Sequence, residues 1–426
     1  MRPQPQSDVA FPGGVARSTA ITGALPSPAS APAPPAAATD VAARRPSTAE
    51  VTPTGRATLI IDHSAIAANL AILRAVSAVD VMGVVKANAF GLGAVAVART
   101  LAANGVASFG VATIEEALEL RRGGLTLPIL AWLAQPTSDL AEALRLRIDL
   151  SVSTTGMLQA IAAAARQRGV TARVHLEVDT GMNRGGSSAL DWPALCQSAA
   201  ELEATGQIRV VGVWSHLARA GNPHWSAVAS QVLRFDEATS IAHTSGLRPT
   251  RRHLASSGAA LAHPQTRYTL ARCGAALYGI EPVDHQRFGL HPVVRVSARV
   301  QHVRRVAAGS AVGYGTGHLI TAPTTLALIP LGYADGVPRS LADTGWLTIA
   351  GRRCPIVGAV SMDQILVDVG DADVSVGDEA VLIGDPKLGE VSLAEVADWA
   401  STIPQEILTN LGGRFETIRI GAPRVA

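Results

Sequence analysis

The chain has 426 residues, of which 48% are hydrophobic and 16% charged, with a formal net charge of +2. That length holds two or three domains around a large core, and the near-neutral balance argues against a nucleic-acid or other polyanionic partner. Three cysteines, Cys196, Cys273 and Cys354, are odd in number and far apart, which argues against a disulfide framework or a zinc site. They fit a reducing compartment, with the cytoplasm as the default.

Residues 1–56 differ from the rest. The stretch "LPSPASAPAPPAAATDVAARRPST" is alanine, proline and serine with few large apolar side chains, so it cannot bury enough surface to offset its ordering entropy. It reads as a disordered Pro/Ala-rich extension. It holds no apolar stretch of signal-peptide length, and no later run is long and charge-free enough to span a bilayer, so no membrane partner is expected.

From residue 57 the sequence becomes periodic. "LIIDHSAIAANLAILRAV" predicts a short strand and then a helix, with Ser64 as N-cap and Ile66, Leu70 and Leu73 on one face. Apolar runs of strand length follow in "VMGVVKA", "SFGVA", "LPILAWL", "DLSVS", "ARVHLEV", "IRVVGVWS", "RHLASS" and, more weakly, "LARCGAALYG". Helical patterns lie between them, such as "TIEEALELRRGG", where Thr113 and Glu116 form a capping box and Gly123 stops the helix. Eight such alternations predict an α/β (β/α)8 TIM-like barrel over 57–286, and continuous apolar strands suit a parallel sheet buried on both faces. A doubly wound open sheet is the alternative.

Near residue 290 the period changes to two. In "VVRVSARVQHV", Val294, Val296, Ala298 and Val300 alternate with polar residues, as in a half-solvated antiparallel strand. Later short valine-rich segments separated by Gly or Asp turns predict a mostly antiparallel β domain over 287–426, with a short helix near "SLAEVADWAS".

Function in a parallel barrel sits at the carboxyl ends of its strands. Lys86, Glu177, Asp179, Arg184, His216, Ser256, Ser257 and Arg272 all fall there. No HExxH, CxxC or P-loop pattern is present, so no metal is expected and nucleotide chemistry lacks support. A lysine at a barrel mouth, a glycine-bearing rim and a histidine able to stack on a ring suggest a Schiff base with an aldehyde cofactor.

Six segments in order, "VVKANAFGLGA", "EVDTGMNRGG", "LARCGAALYG", "GYGTGH", "IPLGYADGVPRS" and "GAVSMDQILVDVG", resemble the motif set of the alanine racemases, fold-type III pyridoxal-phosphate enzymes. The resemblance implies racemisation of L- and D-alanine, supplying D-alanine for peptidoglycan. Pyridoxal 5'-phosphate would be the cofactor, a small amino acid the substrate, and a homodimer with composite active sites the working form. Lys86 matches the lysine bonded to the cofactor and Tyr314 the base on the opposite face. His216 matches a linking histidine and Arg272 the arginine at the pyridine nitrogen. Ser257, Gly274 and Ala275 match the phosphate cradle. Arg184 and the Met362 amide match substrate-carboxylate contacts, with Asp363 beside them, and Tyr333 matches a tyrosine of the entry corridor.

The sequence also departs from that family pattern. Phe90 and Leu92 replace a tyrosine and a histidine, and loss of the tyrosine hydroxyl implies a weaker grip on the phosphate. Glu177 stands where many relatives carry a lysine, and it is expected to orient Arg184. Gln405 and Gly413 align loosely with gate tyrosines, which admits substrates larger than alanine. Two alternatives therefore stand beside the main reading: a broader racemase acting, for example, on serine, and a non-catalytic cofactor-binding protein on the same barrel.

Overall fold

Eight parallel strands pair in the order β8-β7-β6-β5-β4-β3-β2-β9 in the computed structural model, which describes residues 56–315 and 317–422. They are β2 (Asp80–Val84), β3 (Ser108–Val111), β4 (Ile129–Ala131), β5 (Ile148–Val152), β6 (Ala172–Glu177), β7 (Ile208–Trp214), β8 (Arg251–His253) and β9 (Leu270–Cys273). Most are buried along nearly their whole length, as continuous apolar runs require when helices cover one face and the barrel interior the other. The seam between β8 and β9 is joined by Arg272 N–H donating to the Ala255 carbonyl at 2.9 Å and by a bridge between Ser256 and Arg272. The sheet is therefore a nearly closed barrel, and the open-sheet alternative is set aside.

The strand β1 (Ala57–Asp62) is not part of this barrel. It lies in a six-stranded sheet, antiparallel to β10 (Val294–Arg299) and parallel to the last strand, Glu416–Ile420. The barrel's own strands begin at Asp80, so the sequence boundary at 57 placed one strand in the wrong layer. The physical reason is that β1, buried at Ala57, Leu59, Ile60 and Ile61, has the same apolar profile as a barrel strand. Helix α1 (His63–Ser77), which follows it, packs on the barrel helices Ala94–Ala103 and Ser257–Ala262. Its N-cap is Asp62 rather than Ser64, because the carboxylate accepts from the Ser64 and Ala65 amides at 2.8 and 3.1 Å. Such a cap contributes about 1 kcal/mol.

The β domain contains a second sheet of His302–Val306, Thr324–Ile329 and Ile365–Gly370. Strand β10 is central rather than half-solvated: with β1 on one side and Glu379–Ile383 on the other, even Ser297 is buried. The expected helices are present, Ile114–Arg122 with its Thr113–Glu116 capping box and Leu393–Trp399 with Ser392 as cap. At the first, the residue with positive φ is Gly124 and not Gly123. The expected extension over 1–56 lies outside the described residues apart from Arg56. All described residues belong to one compact unit, and none of its helices is long and apolar enough to cross a membrane.

Candidate active site

Lys86 leaves the carboxyl end of β2 directly into a left-handed turn. Ala87, Asn88, Ala89 and Phe90 all have φ between 51° and 57°, and Gly91 follows at 83°. Each non-glycine residue in that region costs about 1–2 kcal/mol, so the turn must be held from outside. Glu116 accepts from the Ala87 amide at 2.7 Å, and Asn88 Oδ1 accepts from the Ala94 amide at 2.8 Å. From the β domain, helix Pro404–Asn410 packs on the same turn. A Cβ on Gly91 would meet the Leu408 carbonyl at 2.9 Å.

The turn presents Lys86 to a cavity of ≈ 590 Å³ at the carboxyl mouth of the barrel, a volume suited to a small-molecule site. The amine remains reachable from solvent, yet the surrounding walls push its pKa down. Desolvation is the larger cause, the Arg184 charge adds to it, and Glu116 opposes both. A depressed lysine carries more free amine at neutral pH and is the better nucleophile. Trp132 lies beneath it, the Nζ atom 5.9 Å from the ring centroid.

Arg272 forms the deepest wall. Its guanidinium is buried, with Nη1 donating to the His253 carbonyl at 2.6 Å and Nη2 to the Ser215 carbonyl at 2.7 Å. Nη2 also lies 3.2 Å from His216 Nδ1. Burial lowers Arg272 to about 10, with the Glu177 charge opposing, so it stays protonated near neutral pH. His216 is lowered to about 3, by desolvation first and then by Arg272, Arg184 and Lys86. It is neutral, its Nδ1 accepts from the guanidinium, and its proton therefore sits on Nε2.

On the rim, the half-buried Glu177 carboxyl is raised above the usual range by desolvation, against the lowering effects of Ser153, Arg272 and Arg184. Its Oε2 accepts from Ser153 Oγ at 2.9 Å. Arg184 lines the same cavity, but among the described residues no hydrogen bond or ion pair joins it to Glu177. The two act on each other through charge within the same pocket, and Ser153 is the hydrogen-bond partner of the Glu177 carboxyl. Asp179 stands apart from the pocket wall and caps its own loop, accepting from the amides of Gly181, Met182 and Asn183.

The fit of the cavity to a phosphorylated pyridine aldehyde can be tested on its floor. Helix Ser257–Ala262 opens into the cavity without a side-chain cap, and among the described residues no protein acceptor bonds the Ala275 amide. Ser257 Oγ accepts from the Gly274 amide at 3.1 Å, which fixes that loop against the helix. A Cβ at Gly274 would come within 3.3 Å of Phe90 Cζ and Val84 Cβ, so glycine keeps the approach open. Uncapped amides favour an anion, and Arg272 Nε, without a protein acceptor among the described residues, is a donor left for a ring nitrogen. The residues present fit the group.

The structure thus brings Lys86, Glu177, Arg184, His216, Ser257, Arg272, Gly274 and Ala275 to one cavity, together with Gln405. It leaves Tyr314, Tyr333, Met362 and Asp363 outside. Tyr314 is 78% and Met362 53% exposed. The Met362 and Asp363 loop is pinned by Arg414, which contacts Asp363 and also holds the fully buried Asp335 at 2.9 Å. Trp132, Trp214 and His253 are not singled out from the sequence, and Glu116 enters there only as a capping residue and not as a group beside the Lys86 turn. Trp214, two residues before His216, has the Arg272 guanidinium 4.8 Å above its ring, and its place at the end of β7 was the available signal.

Fold and pocket together define a class, a two-domain enzyme with a lysine-centred cavity at the mouth of a parallel barrel. Comparison with known proteins makes this particular. The family described as alanine racemase, N-terminal domain, matches residues 61–282, and alanine racemase, C-terminal domain, matches 293–419. The alanine racemase of Thermobifida fusca is 44% identical over 367 residues, 85% of this chain and 98% of that protein. That of Frankia casuarinae is 44% identical over 337 residues, 78% of this chain and 88% of its own length. Among solved structures, alanine racemase from Streptomyces lavendulae superposes with a TM-score of 0.84 at 40% identity, covering 88% of this chain and 99% of that one. One from Bartonella henselae with covalently bound pyridoxal phosphate does so at 0.79 and 32% identity, covering 86% and 100%. The chain belongs to the alanine racemase family and is an isomerase.

Proposed function

We propose that the protein interconverts L- and D-alanine with pyridoxal 5'-phosphate, using Lys86 and Tyr314 as bases on opposite faces of the substrate. The observation that carries this is the convergence of the pKa-lowered Lys86, the buried Arg272 and the uncapped floor at Ser257 on one cavity. When bound, the cofactor supplies an aldehyde for the lysine and an electron-withdrawing ring that acidifies the α-proton. Ser257, Gly274 and Ala275 would hold its phosphate, and Arg272 its ring nitrogen. A guanidinium does not release its proton, so Arg272 keeps that nitrogen unprotonated and limits charge build-up on the ring. Arg184 attracts the substrate carboxylate. Lys86 Nζ removes or returns the proton on one side, and a proton leaving one face must come back on the other. That second role falls to Tyr314.

Tyr314 is exposed and does not line its own cavity, which supports a homodimer in which each subunit completes the other's site, with Met362 and Tyr333 entering alongside. In the cell the reaction would supply D-alanine for peptidoglycan from the cytoplasm. Gln405 lines the cavity at the loosely aligned gate position, which favours slower turnover of somewhat larger amino acids such as serine as a second reading. Co-expression of Lys86→Ala and Tyr314→Phe chains tests the composite site. Each variant alone should be nearly inactive, whereas random pairing places both native residues together in about a quarter of the sites and restores about that share of activity. No recovery in verified mixed dimers would contradict the arrangement.

A further inference from the structure

A line of buried polar groups runs down the barrel axis from Arg272, away from the cavity. Arg272 Nη1 lies 3.3 Å from His253 Nδ1, His253 Nε2 lies 2.8 Å from His175 Nδ1, and His175 Nε2 lies 3.4 Å from Asp149 Oδ2. Arg173 closes the line, donating to both Asp149 oxygens at 2.7 and 3.1 Å. His253, His175 and Asp149 are each at most 3% exposed. Asp149, His175 and Arg173 border a second cavity of ≈ 240 Å³ at the opposite mouth of the barrel.

Proton positions along this line follow from one fact, that a guanidinium donates and cannot accept. His253 Nδ1 must therefore accept from Arg272, which places the His253 proton on Nε2. That proton is donated to His175 Nδ1, so the His175 proton is on Nε2 and points at the Asp149 carboxylate. Every donor faces away from the catalytic cavity.

Two local features are built around this contact. Pairing of β6 with β7 shifts register between Val174 and His175, so that Val211 is passed over and His175 stands opposite Gly212. Bulges of this kind re-aim side chains next to active sites. A Cβ at residue 212 would fall 2.4 Å from His175 Nδ1, so any side chain there would displace the ring. The Trp214 ring lies parallel to His253, 3° between planes and 5.8 Å between centroids, and fixes its tilt.

We propose that His253, His175 and Asp149 form a one-way hydrogen-bonded chain that orients the Arg272 guanidinium and supplies it with a negative pole through the barrel. Asp149 and His175 are then positioning residues for the ring-nitrogen donor, acting from the far side of the barrel. The carboxylate polarises His175, which makes His253 Nδ1 a better acceptor and restrains Arg272 from swinging into the cavity. Burial alone would raise the Asp149 carboxyl, but hydrogen bonds from His175 and Arg173 and the Arg173 charge hold it below the usual range, so it is ionised. The effect on the cofactor rests on the function proposed above; the direction of the chain does not.

Nitrogen-15 NMR of histidine-labelled holoenzyme at neutral pH, with signals assigned through His175→Gln and His253→Gln, reads the direction. Both rings should be neutral and protonated on Nε2; a proton on Nδ1 of either ring would overturn the proposal. In parallel, Asp149→Asn should shift the absorption band of the bound cofactor. It should also lower kcat roughly tenfold to a hundredfold, as loss of a supporting hydrogen-bond partner does elsewhere, with KM changed by less than about twofold. Arg209→Ala, which borders the same lower cavity, should leave band and kcat unchanged. A wild-type band and kcat in Asp149→Asn, or an equal change in Arg209→Ala, would overturn the proposal. Failure of the wild-type protein to bind pyridoxal 5'-phosphate would instead overturn the proposed function, with the NMR result still deciding the chain.

Discussion

Phe90 decides how tightly the cavity floor holds an anion. Its ring packs against Tyr278 at 4.6 Å between centroids, while the Tyr278 hydroxyl is committed to the Val84 carbonyl at 2.9 Å. No hydroxyl from this pair reaches the loop at Gly274. Phe90→Tyr should therefore tighten pyridoxal 5'-phosphate binding by about fivefold, the worth of roughly 1 kcal/mol for one hydrogen bond. Equilibrium titration of the cofactor-free protein measures this, and unchanged affinity would show that position 90 does not face the phosphate. Glu177 gives a second expectation. Its carboxyl is raised by burial, so the folded state resists ionisation, and the resulting cost to stability grows as pH rises through the ordinary glutamate range toward the folded pKa. Glu177→Gln should match the wild type near pH 4 and exceed it in Tm near pH 7. A constant difference across that range would contradict the assignment.

At the scale of elements, the left-handed turn after β2 sets the direction in which Lys86 leaves the barrel. Ala87 has φ 51° and is exposed, so Ala87→Gly removes a steric cost and loses little packing. It should raise stability by about 0.5–1 kcal/mol after the added entropy of the unfolded chain is counted. Gly91→Ala should lower it by about 2 kcal/mol, since φ is 83° and the new Cβ meets the Leu408 carbonyl. Chemical denaturation of both variants checks the pair. The run "VVKANAFGLGA" announced a lysine at a strand end, but nothing in its composition announces four consecutive left-handed residues. That conformation is imposed by Glu116, Asn88 and helix Pro404–Asn410, which are distant or local contacts invisible to periodicity. The barrel strands were legible because burial on both faces writes continuous apolar runs. For the same reason the barrel's span, drawn from residue 57, takes in β1, which pairs with β10 instead. His175 and His253 escaped notice because a buried histidine in a strand has no pattern of its own, and only the fold brings residues 78 positions apart within 2.8 Å.

Across the whole molecule, the barrel and the β domain share one continuous core, and the β domain reaches back to the barrel mouth through Gln405 and Leu408. Eight of the twelve site residues named from the sequence line that cavity, and the other four, Tyr314, Tyr333, Met362 and Asp363, lie outside it. A motif marks residues that matter but carries no information on whether they line their own chain's cavity. The central proposal is that this cavity racemises alanine with a bound pyridine aldehyde. Chiral chromatography of purified protein incubated with L-alanine, with and without added pyridoxal 5'-phosphate, tests that claim most directly. The expected result is D-alanine accumulating to an equal mixture in the loaded protein, with Lys86→Ala giving none. Protein that carries the cofactor and yet leaves L-alanine unchanged would contradict it.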